Sequence, residues 1–211
     1  FRSSLCVTDM SNFYLDIIKD RLYCEKEDSV QRRAAQTTIY KILSAISRLI
    51  SPIIPFTAEE IWSYIPHTDD DNTISIALND MPCKSGLEFS DEFKNKWTLI
   101  SALREDAKKA LEIKRVEKII GASLEAKLEI ICNTDEKYEE VKALSDELAK
   151  IIIVSHVSVL KGESGEFKGD LFGTDGISFN AKKADGEKCE RCWMYTEDVG
   201  KNDKHPTLCG R

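Results

Sequence analysis

Residues 90–132 read SDEFKNKWTLISALREDAKKALEIKRVEKIIGASLEAKLEIIC, and the hydrophobic period changes once within them. Up to about Lys118, apolar side chains recur at three- and four-residue steps. Phe93, Trp97, Ile100, Leu103, Ala107, Ala110 and Leu111 form one stripe, and Ser90 stands where an N-cap belongs. That is the signature of a long amphipathic helix. After Gly121 the step becomes two: Leu124, Ala126, Leu128, Ile130 and Cys132 alternate with other residues, as along a strand. A helical region therefore ends near Ala122 and an α+β region begins.

On the N-terminal side the pattern stays helical. Met10, Phe13, Tyr14, Ile17, Ile18 and Leu22 mark a first helix. Ala35, Thr38, Ile39, Ile42, Leu43, Ile46, Leu49 and Ile50 mark a second, from Val30 to Ile50. Pro52 and Pro55 end it, because a proline lacks the donor that a helix interior needs. Thr57-Ala58-Glu59-Glu60 reads as a capping box opening a short helix with Ile61, Trp62 and Ile65, which Pro66 closes. Residues 73–90 read as irregular, with a short extended piece at Ile74–Ile76. Helices joined by modest loops predict an antiparallel bundle over 1–122.

On the C-terminal side, Tyr138, Val141, Leu144 and Leu148 predict another helix. Ile151–Leu160, rich in β-branched residues, predicts a second strand, and the patch Ile151–Val154 reads as its buried part. Ile177 and Phe179 predict a third strand after a Gly-containing loop over 161–176. The chain is thus expected to be mainly α: a bundle at 1–122, a small α+β junction module at 123–183, and a cysteine-bearing tail at 184–211.

Composition narrows the function. The 211 residues carry a net charge of −7, with −2 up to Ala122 and −5 beyond it. Neither part is basic, so any nucleic-acid contact has to use local patches. The chain has seven cysteines, an odd number, and Cys6, Cys24, Cys83 and Cys132 are scattered. That is no disulfide framework and suits a reducing cytoplasm. No run reaches the roughly 20 apolar residues of a membrane span. The chain begins at Phe1 with no initiator Met and nothing resembling a signal peptide, so it is expected to be a piece of a longer protein.

The sharpest chemical signal is Cys189-Glu190-Arg191-Cys192 followed by Cys209-Gly210-Arg211. Two thiolates spaced C-x-x-C can grip zinc from a tight turn, and Cys209 would open a second such knuckle. Its last ligand would fall at position 212, so the zinc site is expected to be truncated, with His205 as a substitute ligand. A thioredoxin-like redox role is the rival, but the motif follows the turn Ala184-Asp185-Gly186 and no helical pattern comes after it. Trp193 stands beside the knuckle, either as a platform for unpaired bases or as the apolar cap of the knuckle. Met194 and Tyr195 suit a cap. On the long helix Arg104, Lys108 and Arg115 share one face, at spacings of four and seven. They could meet phosphates or form a solvated face paired with Glu105, Asp106, Glu112 and Glu117. Arg32 and Arg33 offer the same two readings. His156, within a predicted strand, reads as structural. No nucleophile, base and oxyanion site assemble anywhere, so no catalytic residue is assigned.

Taken together, these stretches resemble a family. Asp9-Met10-Ser11-Asn12-Phe13-Tyr14-Leu15-Asp16-Ile17-Ile18-Lys19-Asp20-Arg21-Leu22-Tyr23 and Arg32-Arg33-Ala34-Ala35-Gln36-Thr37 resemble bundle landmarks of bacterial isoleucyl-tRNA synthetases. Pro52-Ile53-Ile54-Pro55-Phe56-Thr57-Ala58-Glu59-Glu60-Ile61-Trp62 is similar to a segment shared with the valyl and leucyl relatives. Lys118-Ile119-Ile120-Gly121-Ala122-Ser123-Leu124-Glu125-Ala126 and Ala184-Asp185-Gly186-Glu187-Lys188-Cys189-Glu190-Arg191-Cys192-Trp193 resemble the isoleucyl branch specifically. The resemblance spans essentially the whole chain. It implies a C-terminal anticodon-binding bundle, a junction module and a zinc tail. The partner implied is isoleucine tRNA, with no DNA and no membrane, and the protein a monomer. The parent it implies activates isoleucine with ATP and Mg2+ and transfers it to tRNA. The class I signatures and the editing domain of that parent are absent from these residues. Met194 stands where members often carry a basic residue.

Overall fold

The computed structural model describes residues 4–210; Arg211, the last residue of the second knuckle motif, lies outside the described residues. The chain divides into two compact units, residues 21–88 and residues 1–20 with 89–211. Packing therefore cuts the chain elsewhere than at Ala122. The long helix shares its core with the α+β module, and residues 21–88 form a core of their own.

The smaller unit is built on α2 (Val30–Ile50) and α3 (Pro55–Tyr64), with a short 3₁₀ turn at Ile76–Leu78; the extended piece expected at Ile74–Ile76 forms no strand, and its last residue opens that turn. Ser29 caps α2 by accepting the Arg32 amide. Thr57 does not cap α3: the helix starts two residues earlier, with Pro55 in its first turn and no side-chain cap. Proline suits that position because its missing N–H would have no partner there. Glu59 instead reaches out of the helix, accepting the Ile76 amide at 3.1 Å and the Ser75 hydroxyl. Ala58, Trp62, Ile65 and Ile76 are the core, flanked by Tyr40, Ile50 and Ile61. Asp71 pins the loop above it by accepting from Thr68 and Tyr40 and pairing with Arg48, and hydrogen bonds from the Thr68 amide hold its pKa below the usual carboxylate value against the cost of burial.

The larger unit opens with a wide, π-type helical stretch, Leu5–Leu15, that runs on into α1 (Asp16–Tyr23), and the unit boundary falls within α1. Its body is α4 (Asp91–Val116), capped by Ser90 as expected. The sheet has the order β2-β1-β4-β3, where β1 is Ala126–Cys132, β2 His156–Lys161, β3 Phe167–Lys168 and β4 Ile177–Lys183. β1 lies in the middle, parallel to β2 and antiparallel to β4, with Ile130 opposite Val159 on one side and Phe179 on the other. The crossover between β1 and β2 holds two helices where one was expected, α5 (Asp135–Lys142) and α6 (Ser145–Ile152). Leu103, Ala107, Leu111, Leu128, Ile130, Leu148 and Phe179 are completely or almost completely buried in the shared core, which Ile17 also joins.

The predicted strand Ile151–Leu160 is corrected in its first half. Ile151 and Ile152 end α6, Ile153 turns left-handed (φ 65°), and the strand begins only at His156. A short apolar run is compatible with either structure, and burial against α4 decides for helix here. His156 is exposed at the start of β2. Beyond the sheet, β5 (Glu187–Lys188) and β6 (Tyr195–Thr196) form a two-residue ribbon that carries the cysteine motif. Among the described residues no helix is long and apolar enough to cross a membrane.

Candidate metal knuckle and nucleic-acid interface

The ribbon folds its connecting turn into a knuckle. The Cys189 amide donates to the Met194 carbonyl and the Trp193 amide donates to the Cys189 carbonyl, both at 2.9 Å. Closing so tight a loop puts Trp193 in the left-handed region, φ 64°. A non-glycine residue pays roughly 1–2 kcal/mol for that conformation. The later segment comes back beside it: the Glu190 amide donates to the Thr207 carbonyl, and the Cys209 amide points at the Cys189 sulfur at 3.4 Å.

These bonds bring Cys189, Cys192 and Cys209 together, with all three sulfurs within 4.8 Å of one another. The Cys192 and Cys209 sulfurs are 3.7 Å apart. Four thiolates about 2.3 Å from a zinc ion stand about 3.8 Å from each other, so this edge already has the spacing of a tetrahedral site. The electrostatics suit a cation as well. Burial would raise the Cys189 thiol, but backbone N–H groups of Cys192, Cys209 and Arg191 outweigh it and bring the pKa down to about 7. Cys192 goes the other way, raised first by burial and then by the sulfurs it faces. A set of soft donors that shares protons until something positive replaces them is what zinc takes. The residues present fit the ion. His205 does not join the cluster and is exposed. Asp198 accepts the Gly210 amide at 2.7 Å and so shapes the second turn, and that bond helps to hold its carboxyl below the ordinary value.

Trp193 is 61% exposed, the opposite of an apolar cap. The Lys188 ammonium sits 5.0 Å from the centre of its ring. Lys188 was not among the residues expected here. It stands across the ribbon from Tyr195, and that register is not visible in a two-residue strand.

The basic residues divide. Arg104 is a correction: it is 3% exposed and cannot reach a phosphate. Its guanidinium donates to the Ile151 carbonyl at 3.0 Å, the Asn12 carbonyl at 3.2 Å and Glu105 at 3.2 Å, and lies over Phe13. Arg115 clasps the helix-to-strand joint through the Gly121 carbonyl at 3.3 Å and the Ser123 hydroxyl at 3.1 Å, besides pairing with Glu112. Arg32 is half-buried and holds the Glu25 carbonyl at 3.1 Å. Lys108, paired with Glu105, and Arg33, bonded to Gln36, are more open to solvent. Thus Trp193, Lys108 and Arg33 are presented outward, whereas Arg104 serves the core.

Comparison with known proteins adds two family matches. Residues 3–130 match the anticodon-binding domain of tRNA ligase, and residues 186–211 match the zinc finger found in FPG and IleRS. Among curated proteins, the chain is 43% identical over 214 residues to an isoleucine–tRNA ligase of Thermoanaerobacter sp. (strain X514). It is 41% identical over 210 residues to that of Brevibacillus brevis and 39% identical over 208 residues to that of Bacillus cereus. Each alignment covers 99% of this chain but 22% of the relative, so the chain spans about a fifth of the length of the curated relatives it matches.

Proposed function

We propose a function from the premise that the chain belongs to the anticodon-binding domain family of tRNA ligases. It is the tRNA-reading part of an isoleucine–tRNA ligase whose whole polypeptide joins isoleucine to its tRNA with ATP, in the cytoplasm and as a monomer. The observation that carries this reading is the 43% identity to an isoleucine–tRNA ligase, sustained over 99% of the chain and ending in the zinc-finger match.

The chain's own contribution is recognition. The helices within the segment that matches the anticodon-binding domain supply surfaces for the anticodon stem-loop, and the tail supplies a rigid knuckle. Cys189, Cys192 and Cys209 hold zinc. The ion is structural: it cross-links two turns and takes no part in bond making. Trp193 offers its ring to an unpaired base, an interaction worth about 1–3 kcal/mol. The acidic balance of the chain repels RNA in general, so affinity rests on a few placed contacts such as Trp193, Lys108 and Arg33. The catalytic steps belong to residues outside this sequence, and the chain alone does not activate isoleucine.

A titration with isoleucine tRNA and with the same tRNA carrying a swapped anticodon tests the reading. Saturable binding to the first and at least tenfold weaker binding to the second are expected. Equal binding to both would overturn it.

A further inference from the structure

The ribbon that carries the knuckle has two residues per strand. A hairpin so short does not hold its own orientation in water. What aims it must lie outside it: the Ala184 amide on the Glu125 carbonyl at 2.7 Å and Lys127 with Asp185 at 3.4 Å hold the segment that leads into β5, and the side chain of Ser155 supplies the link to β6. Ser155 is 3% exposed, in the turn between α6 and β2. Its amide donates to the Ala126 carbonyl at 3.0 Å, which fixes it to β1. Its hydroxyl donates to the Leu124 carbonyl and accepts the Tyr195 amide of β6 at 2.7 Å.

The chain of bonds then runs straight to the metal turn. Tyr195 follows Met194, whose carbonyl takes the Cys189 amide, and Cys189 in turn takes the Trp193 amide. One buried hydroxyl therefore joins the sheet to the segment that bears both the sulfur cluster and the exposed indole. Its hydrogen can point only one way. Because Leu124 accepts it, a lone pair is left facing Tyr195, and the donor–acceptor order along the path is set.

We propose that Ser155 is a positioning residue for RNA recognition: it sets the angle at which the knuckle presents Trp193 to an unpaired base. This rests on the reading of Trp193 as a stacking platform. The knuckle closes on itself through its own backbone bonds and sulfurs, so the metal site does not need Ser155. The orientation of the knuckle does. A platform that can swing must be ordered at the moment of binding, and that cost appears as lost affinity.

The test compares Ser155→Ala, Ser155→Thr and Trp193→Ala in the full chain with isoleucine tRNA. Metal content, amide hydrogen exchange and affinity are read for each. In Ser155→Ala the expected result is faster exchange at the Tyr195 amide, unchanged zinc content, unchanged protection at the Cys189 and Trp193 amides, and affinity weaker by about three- to tenfold. Ser155→Thr keeps the hydroxyl and should restore both the Tyr195 protection and the affinity. If Ser155→Ala frees the Tyr195 amide yet binds tRNA as well as the parent chain does, while Trp193→Ala binds worse, the positioning role is wrong and the platform stands. If Trp193→Ala also binds normally, the stacking reading itself has failed. Loss of zinc or early melting in Ser155→Ala would show that Ser155 holds the site together rather than aims it, and this too overturns the proposal.

Discussion

Replacing Arg104 by alanine should damage the fold and spare RNA binding. The side chain of Arg104 is 4% exposed, so its partners lose it with little water to take its place. The Ile151 carbonyl is the critical one. It lies in the last turn of α6, where a carbonyl has no partner within the helix. The amide four residues on, that of Ser155, is already committed to the Ala126 carbonyl. Arg104 is therefore the C-terminal cap of α6, and removing it leaves a buried acceptor unpaired at about 1–3 kcal/mol. The Asn12 carbonyl belongs to an exposed residue and can find water, and Glu105 is half exposed, so each adds about 0–1 kcal/mol. The contact with the Phe13 ring adds about 0.5–1 kcal/mol. A loss of about 3 kcal/mol should lower Tm by roughly 6–12 °C for a chain of this size. Thermal unfolding followed by circular dichroism at neutral pH measures it. Lysine at 104 should recover only part of the loss, because one ammonium cannot serve acceptors fanned around a planar guanidinium. If Arg104→Ala melts within about a degree of the parent while its tRNA affinity falls and the salt slope shrinks by about one, the side chain is a phosphate ligand and the burial argument fails.

Two further outcomes follow from neighbouring residues. Asp106 is buried, which would raise its pKa, but bonds from Asp170, Thr174 and Lys109 prevail and lower it. A carboxyl depressed in the folded state contributes stability in full above the ordinary value of 3.8, and loses it as pH falls through the lower folded value. Asp106→Asn should thus be less stable at pH 7 and should lose less on going from pH 5 to pH 2; parallel urea midpoints for the two chains across that range would contradict this. Lys108→Ala should leave Tm within about 1 °C, since its pair with Glu105 is exposed, yet weaken tRNA of any anticodon alike and cut the salt slope by up to about one unit. An anticodon-dependent effect would mean that Lys108 reads bases.

How much of this was legible in the sequence depends on how local the deciding contact is. The bounds of α2 and the Ser90 cap of α4 follow from periodicity and from neighbours within four residues, and both appear as expected. The three cysteines were legible because C-x-x-C carries its own turn, and they do converge. Arg104 was misread because spacing alone places it on one helix face with Lys108 and Arg115, without saying which way that face turns. Its acceptors, Asn12 and Ile151, lie 92 and 47 residues away. Ile151–Val154 was misread because β-branched composition favours strand locally, whereas packing against α4 and the left-handed Ile153 favour a helix end. Ser155 and Lys188 gave no signal at all, since each matters through a cross-chain contact that no pattern announces.

The central place of β1 in its sheet has a consequence for synthesis on the ribosome. β1 ends at Cys132, but its antiparallel neighbour β4 is complete only at Lys183. At about 5–20 residues per second, some 3–10 s pass between the emergence of the two. Throughout that interval the unpaired edge of β1 and the apolar face of α4 lack the cover that Phe179 and Ala181 later provide. Nascent chains paused between these strands should therefore be the ones a holding chaperone engages, and release should coincide with the appearance of residues 177–183 rather than with that of α5 and α6.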